Sequence, residues 1–459
     1  MHAEIRAGWG SDAFRVVSIC IGKGRGAYND ALPIFAIHAI NGWERPLKKG
    51  SEVRSVLVGV SLFLLLCFTT CTVFIQQAWA LESFQIGIYV LVALYLLTGI
   101  WQPGEHVAAG LPSILVYLMP LWGVVQILAH STASTFETRR EVLRWGALAG
   151  VFFLSQVVAR SEVARRTCLT IYLCFATGLA VLCLTQLFTS EGRVLWLFAS
   201  GYPDVYGTFP NHNNYVQFVE VALPVSLWRA IRDGWRSWWY ALCGGLLYAS
   251  AIGSASRAGA IICTAELIAM LALGLLRMRK NRGVSSLRGT IGVLLLVPAL
   301  AFVFTLAVGW RPVWERFQGQ DQFSGRREFL IAAIGMAKAN PLMGHGLGTF
   351  PEVYQQFAVR DFPFYANHAH NDWAEFAADG GIPFLLLVFL PFADAIPTAI
   401  RHPWGVGLIA VMVHACVDYP FPRPAVSGWM YAMLGVLYMV RMTDVGRRRE
   451  GVKGVGVDG

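Results

Sequence analysis

Residues 367 to 381, NHAHNDWAEFAADGG, place two histidines, two aspartates and a glutamate close together in a chain built mostly of apolar runs. Asn371 or Asp372 can cap a short helix, which leaves His370 at the helix N-terminus. The positive end of the helix dipole disfavours the imidazolium form there. A neutral imidazole can accept a proton from an attacking hydroxyl, so His370 is the candidate general base.

A structural role is the alternative for these histidines. His368 and His370 could simply hydrogen-bond the segment to the rest of the protein. Further along, Gly380 and Gly381 are expected to end the short helix.

Two arginine motifs could bind phosphate. GSASRAG, residues 253 to 259, sets Arg257 among small residues, and FSGRREF sets Arg326 and Arg327 at the predicted start of a helix running to Ala339. Guanidinium forks and the exposed N–H groups of a helix start both suit phosphate oxygens. The alternatives are an arginine that snorkels to lipid headgroups and a solvated helix start.

Two further motifs were considered as ligand sites. GTFPNHNNY, residues 207 to 215, presents Asn211 and Asn213, whose amides could hydrogen-bond sugar hydroxyls or cap the following helix. GHGLGTF, residues 344 to 350, lacks the spacing of a dinucleotide fingerprint and the Lys-Ser/Thr of a P-loop. Nucleotide binding is therefore rejected.

The composition indicates that lipid is the solvent for most of this chain. Of its 459 residues 56% are hydrophobic and 14% charged, against about 25% charged in soluble domains. Apolar runs long enough to cross a bilayer recur, which predicts an all-α polytopic membrane protein with about twelve spans. The predicted spans are 55 to 75, 85 to 101, 110 to 130, 144 to 160, 167 to 187, 214 to 231, 238 to 255, 258 to 276, 290 to 309, 382 to 400, 403 to 420 and 424 to 441.

The spans divide the chain into five segments. A basic cytoplasmic segment, 1 to 54, precedes nine transmembrane helices in 55 to 309, and a large, partly helical periplasmic loop follows at 310 to 381. Three more transmembrane helices occupy 382 to 441, before a basic cytoplasmic tail at 442 to 459. Long connections are usually functional, so the 310 to 381 loop is predicted to carry the catalytic residues.

Orientation follows from the positive-inside rule. With the N-terminus inside, 25 of the 37 lysines and arginines fall on the cytoplasmic side. The net charge of +9 then needs no nucleic-acid partner, since this bias and the anionic lipid headgroups account for it.

Five ionisable residues fall within predicted spans, where such groups are costly and often functional. They favour an alternative in which the protein is a transporter or flippase with a proton or ion path. These residues are Glu220, Glu266, Asp394, His414 and Asp418.

Six motifs, taken in order, resemble the O-antigen ligase and O-antigen polymerase family of bacterial membrane glycosyltransferases over roughly residues 200 to 424. The most specific is the spacing of His370, Asn371 and Gly381. The motifs are GTFPNHNNY, SASRAGA, SGRREF, NPLMGHGLGTF, HAHNDWAEFAADGGIPF and HACVDYP.

The resemblance implies an inner-membrane enzyme whose active site faces the periplasm. It would move a glycan from undecaprenyl diphosphate to a lipid-linked acceptor sugar, such as the lipid A core. His370 would activate the acceptor, and Arg257 and Arg326 would bind the diphosphate. The candidate supporting residues are His368, Asn371, Arg327, Asn211 and Asn213.

No cofactor or metal is expected, because two arginines can neutralise a diphosphate leaving group and the outer loop has no aspartate-rich metal motif. Direct attack on the anomeric carbon would invert its configuration. An O-antigen or exopolysaccharide polymerase of the same family is the close alternative, in which the acceptor is another lipid-linked repeat unit. A polysaccharide transporter or flippase is the alternative from a different class.

Overall fold

The structure is a computed structural model that describes residues 49–75, 77–100, 110–199, 206–232, 238–281, 292, 295–300, 302–303, 306, 323–360 and 366–454. Helices dominate this part of the chain, and no β-strand occurs in it. Two isolated bridges, Val194 with Phe198 and Tyr206 with Phe209, are the described β contacts.

The described helices are α1 Lys49–Cys71, α2 Ala78–Ile100, α3 Leu111–Leu128, α4 Thr135–Ala159, α5 Glu162–Thr189, α6 His212–Arg232, α7 Trp238–Gly253, α8 Arg257–Asn281, α9 Phe323–Ala339, α10 Phe350–Val353, α11 Asp372–Arg401, α12 Gly407–His414 and α13 Pro424–Gly454. Short 3-10 turns lie at Tyr354–Gln356 and Pro403–Gly405.

Within the described residues, eight helices are long and apolar enough to cross a membrane. They are α1 to α5, α8, α11 and α13, and they confirm the predicted all-α polytopic fold. Helices α6 and α7 lie where spans 214 to 231 and 238 to 255 are predicted. The predicted span 290 to 309 is described only in part, and most of residues 1 to 54 lie outside the described residues, so the count of about twelve stays a prediction.

The predicted span 403 to 420 does not form one continuous helix, because α12 ends at His414 and the chain then turns. The turns form a loop, residues 415–423. Its Ala415 carbonyl accepts a hydrogen bond from the Asp372 N–H at 2.9 Å. The Phe421 N–H donates to Asp372 Oδ2 at 3.0 Å. These bonds hold the loop against the start of α11, so an apolar sequence does not continue as a helix.

Helix α11 breaks at Gly381, whose φ of 71° and ψ of 177° are non-helical. A Cβ at this position would lie 2.5 Å from the carbonyl oxygen of Leu342, so only glycine allows the close approach. The glycine-rich segment 344–350 packs on the broken turn, with the Gly346 N–H donating to the Asp379 carbonyl at 2.8 Å. That segment therefore supports the break in α11.

An aromatic cluster supports the first half of α11 and the 415–423 loop. The fully buried Trp145 of α4 packs edge-on against Phe376 and Phe384, with centroid separations of 5.6 and 5.3 Å. The neighbouring Arg144, also buried, donates from Nη1 to the carbonyl of Phe421 at 2.7 Å. This packing fixes the helix start and the loop relative to each other.

Candidate active site

The start of α11 carries the candidate base. Asn371 is the N-cap, as the sequence predicts, and its Oδ1 accepts from the Ala374 N–H at 3.0 Å. Its Nδ2 also donates to the carbonyl of Cys416 at 2.7 Å. Just before it, His370 has a φ of 53°, a backbone region that non-glycine residues seldom occupy. The hydrogen bonds of Asn371 and Asp372 to the 415–423 loop stabilise this unusual backbone conformation of His370.

One buried carboxylate contacts both the candidate base and a candidate phosphate-binding arginine. Asp418 Oδ1 lies 3.4 Å from His370 Nδ1, and Oδ2 lies 3.7 Å from Arg326 Nη2. The Asp418 side chain is 1% exposed. Arg326 also donates from Nη1 to the carbonyl of Val417 at 3.1 Å. The structure thus brings His370 and Arg326, 44 positions apart in the chain, to the same residue.

The charge state of Asp418 reflects these partners. Burial by itself would raise the pKa of this carboxyl, but its contacts with His370 and the positive charge of Arg326 outweigh burial and lower the pKa to about 2. The carboxylate is therefore ionised at neutral pH. An ionised Asp418 can orient the imidazole of His370 and stabilise it once it has accepted a proton.

The two ring nitrogens of His370 differ in their surroundings. Nδ1 is buried and lies 3.4 Å from Asp418 Oδ1, whereas the side chain as a whole is 24% exposed. With Nδ1 directed at Asp418, Nε2 is the candidate nitrogen for contact with a substrate hydroxyl.

Tyr419 forms a platform under the histidines. His368 stacks on its ring at a centroid distance of 4.5 Å, and His370 meets it edge-on at 4.8 Å. The Arg423 guanidinium lies 5.4 Å from the centroid of the same ring. Asn211 donates from Nδ2 to the Tyr419 hydroxyl at 3.3 Å. The N-terminal end of α6 is thereby joined to the site.

His368 contacts the first turn of α11 through Glu375. Its Nδ1 lies 2.9 Å from Glu375 Oε1, and Glu375 Oε2 accepts from the Ala369 N–H at 2.7 Å. Glu375 in the first turn of α11 thus ties the segment that precedes His370 back onto the helix.

The remaining predicted site residues, Arg257, Asn213 and Arg327, differ in burial and in their contacts. Arg257 is partly buried at the start of α8. Two residues further on, Gly259 packs closely on α6, since a Cβ there would lie 2.2 Å from Val216 Cγ1. Asn213 is 9% exposed and donates its N–H to Asn211 Oδ1 at 2.8 Å. Arg327 is exposed, so the structure separates it from Arg326.

Three of the ionisable residues behind the transporter alternative are paired. His414 Nδ1 and Glu220 Oε1 lie 2.7 Å apart with both side chains fully buried, and Asp394 forms an ion pair with Arg441. These pairs join α12 to α6 and α11 to α13. Asp418 lies in the 415–423 loop and belongs to the site. In the described residues no group of three or more His, Cys, Asp and Glu side chains is arranged to hold a metal ion.

Two residues of the candidate site are not predicted as site residues by the sequence. Asp418 falls within a predicted span, and Tyr419 belongs to the motif HACVDYP without a predicted role. The available signal was an aspartate and a tyrosine at the end of a short apolar run that a proline follows. Their importance depends on contacts with residues about 50 positions away or more, which no local pattern encodes.

Replacing Asp418 with asparagine tests the carboxylate through stability. A lowered pKa means that the ionised form contributes stability above the ordinary value of 3.8, and that this contribution is lost as pH falls through about 2. At pH 6 we expect the variant to lose about 2 kcal/mol of unfolding free energy, at about 1.4 kcal/mol per pH unit. The unfolding free energies of the parent and the variant are measured at pH 6 and near pH 2. If the parent is more stable than the variant by the same amount at both pH values, the prediction is wrong.

Comparison with known families completes the description of the site. The family model for O-antigen ligase matches residues 225–389, just over a third of the chain. The match includes Arg257, Arg326 and His370, and it ends before the 415–423 loop. No curated protein matches the chain.

Proposed function

Because the chain belongs to the O-antigen ligase and polymerase family through residues 225–389, we propose that it is a ligase-type glycosyltransferase. It moves a glycan from undecaprenyl diphosphate to a hydroxyl of a lipid-linked acceptor sugar, such as the lipid A core. The reaction takes place at the periplasmic face of the inner membrane and inverts the anomeric carbon. No metal takes part.

The observation that carries the proposal is the shared carboxylate. His370 Nδ1 and Arg326 Nη2 lie 3.4 and 3.7 Å from the two oxygens of Asp418. A base for the acceptor and a cation for the leaving group therefore stand next to each other. In glycosyl transfer from a diphosphate donor, the base and the cation must contact the same pair of bound substrates, so they must lie close together.

The transfer step can be written with these groups. The acceptor oxygen attacks the anomeric carbon and forms the new C–O bond, while the bond from that carbon to the diphosphate oxygen breaks. The acceptor proton passes to Nε2 of His370, and Asp418 stabilises the resulting imidazolium. Undecaprenyl diphosphate leaves with the bonding electron pair. Because the attack is a single displacement, the configuration is inverted.

Charge develops on the diphosphate as this bond breaks. Arg326 already has its Nη1 and Nη2 anchored on the 415–423 loop, so its guanidinium needs no reorganisation when the charge appears. Arg257, at the start of α8, is proposed to bind the second phosphate. Two guanidinium groups can supply the stabilisation that a metal provides in other transferases.

The orientation is supported by the distribution of arginines along α6. This helix begins at His212, next to the Tyr419 platform, and has Arg229 and Arg232 in its last turn. Basic residues mark the cytoplasmic ends of membrane helices. The end that carries His370 is therefore proposed to face the periplasm.

Reconstitution with a choice of acceptor tests the function. The purified protein in liposomes receives the undecaprenyl-diphosphate-linked glycan with either lipid A core or a second lipid-linked repeat unit. A ligase is expected to form a core-linked product, by mass, at least about tenfold faster than a repeat-unit dimer. Preference for the repeat unit would identify the polymerase instead. Movement of the donor across the bilayer without any product would contradict the enzyme and support a flippase.

A further inference from the structure

A polar cavity lies at the opposite end of α6 from the candidate active site. It has a volume of about 690 Å³, within the range of about 300 to 1,000 Å³ that is typical of small-molecule sites. Five arginines line it, and we call it the arginine cavity. They are Arg160, Arg165, Arg166, Arg229 and Arg232.

The position of the arginine cavity follows from α6. That helix contacts the Tyr419 platform through Asn211 at its start, and Arg229 lies 17 residues beyond His212. At 1.5 Å per residue the two ends are about 25 Å apart, close to the thickness of a bilayer hydrocarbon core. The arginine cavity is therefore distinct from the candidate active site.

The arginine cavity has an excess of positive charge. Its acidic lining residues are Glu162 and Asp444. Glu162 pairs with Arg166, and Asp444 Oδ2 lies 2.9 Å from His402 Nε2. Glu162 therefore offsets one of the five arginines, and the lining has three more arginines than carboxylates. Like charges held together at a membrane surface favour an anionic ligand.

Arg229 is held in place by uncharged partners. Its Nη1 donates to Thr170 Oγ1 at 2.8 Å and to the Tyr240 hydroxyl at 3.0 Å. Its Nη2 donates to the Arg166 carbonyl at 3.3 Å. These bonds hold the Arg229 guanidinium in place without neutralising its charge. Its positive charge is therefore already positioned before a ligand binds.

Two tryptophans, Trp228 and Trp404, also line the arginine cavity. Tryptophan is enriched at the level of the lipid headgroups, because its ring is apolar and its N–H is polar. Their presence beside the arginines is typical of a site at the headgroup level of the membrane.

We propose that the arginine cavity binds a phosphate-bearing anion. Guanidinium forks match the geometry of phosphate oxygens, and basic pockets between membrane helices bind the headgroups of anionic lipids. The same chemistry would accept a soluble phosphate compound. Binding at this site would join α5, α6 and α13, which each contribute lining residues, and so stabilise the folded protein.

Binding to the full-length protein in nanodiscs tests the proposal. One set of discs contains phosphatidylcholine alone, a second adds phosphatidylglycerol, and a third is phosphatidylcholine with inorganic pyrophosphate in the buffer. The double variant Arg165→Gln with Arg232→Gln removes two cavity charges. Lipid retention in native mass spectrometry is expected to weaken by roughly 30-fold, at about 1 kcal/mol for each arginine.

The matched control is the double variant Arg139→Gln with Arg193→Gln, which removes the same charge from exposed residues outside the cavity. It is expected to retain phosphatidylglycerol as the parent does. A rise in the unfolding temperature with phosphatidylglycerol supports a lipid ligand, and a rise with pyrophosphate alone supports a soluble one. The proposal is overturned if neither phosphatidylglycerol nor pyrophosphate raises the unfolding temperature. It is also overturned if the cavity variant and the control variant lose this rise equally.

A second variant keeps the test decisive if the glutamine pair fails to fold. Arg165→Lys with Arg232→Lys retains the charge and removes the guanidinium forks, and we expect about a fivefold weaker retention of phosphatidylglycerol. Unchanged retention in this variant would also overturn the proposal.

Discussion

Replacing His370 with asparagine is expected to lower the rate of glycan transfer by about 10²- to 10⁴-fold, the usual contribution of a general base. Asparagine cannot accept the acceptor proton at neutral pH. The loss should appear in kcat, with the KM of the donor nearly unchanged, because His370 acts on the hydroxyl in the transition state. Transfer in the reconstituted system described above, with saturating donor, measures it.

Asparagine is the replacement of choice because of the backbone. His370 has a φ of 53°, and asparagine tolerates this region better than alanine does. His130 offers a matched control, since it is exposed and has a φ of 52°. His130→Asn makes the same chemical change in the same backbone conformation outside the site, and it is expected to transfer glycan at the parent rate. Parent-like transfer by His370→Asn in a folded protein would rule out His370 as the base.

Replacing Arg326 with glutamine is expected to lower transfer by about 10²- to 10³-fold, the usual cost of removing one preorganised charge stabiliser. The guanidinium lies against the carboxylate that positions His370, so its removal takes away the cation proposed to neutralise the leaving diphosphate. The KM of the diphosphate donor should rise as well, since a phosphate contact is also made in the ground state.

Arg327 supplies the control for this variant. It is the next residue in the chain and is exposed, so Arg327→Gln removes the same charge from the same helix start. We expect its transfer rate to stay within about twofold of the parent, as for an exposed substitution. If both variants lose the same factor in transfer rate, the rate depends on net charge at this helix start and not on the position of Arg326.

A stability effect must be separated from the catalytic one. Arg326→Gln leaves the buried Asp418 carboxylate without its cation, which is costly. The double variant Arg326→Gln with Asp418→Asn removes both charges and is expected to regain stability, while its transfer stays well below that of Asp418→Asn alone, the reference that already lacks the carboxylate beside His370. Recovery of transfer together with stability would show that Arg326 acts only through folding.

The stretch around His370 shows how far local sequence signals reach. A capping residue at Asn371 or Asp372, charges in the first turn and a glycine pair predict a short helix that ends at Gly380 and Gly381. In the structure Asn371 is the N-cap, the helix breaks at Gly381 and then continues to Arg401. Such features depend on the backbone within one or two turns. They were therefore predictable without knowledge of the fold.

The 415–423 loop shows where local signals fail. The apolar run from 403 to 420 is predicted to form one span, yet the helix ends at His414, where the chain turns and the loop bonds to Asp372 and Asn371. The hydropathy of a segment indicates whether it prefers lipid or water. It contains no information about a hydrogen-bond partner more than 40 positions away that can end a helix. The span was misjudged for that reason.

By itself, the sequence determined the membrane class, the helical periodicity and the set of residue types able to act as a base and to bind phosphate. The tertiary structure decided which of them meet. It joins His370 and Arg326 on Asp418, turns Arg327 outward and gathers five arginines at the far end of the helices. The physical reason is that solvent preference and helix capping are properties of neighbouring residues, whereas a site is a set of distances between residues that are remote in the chain.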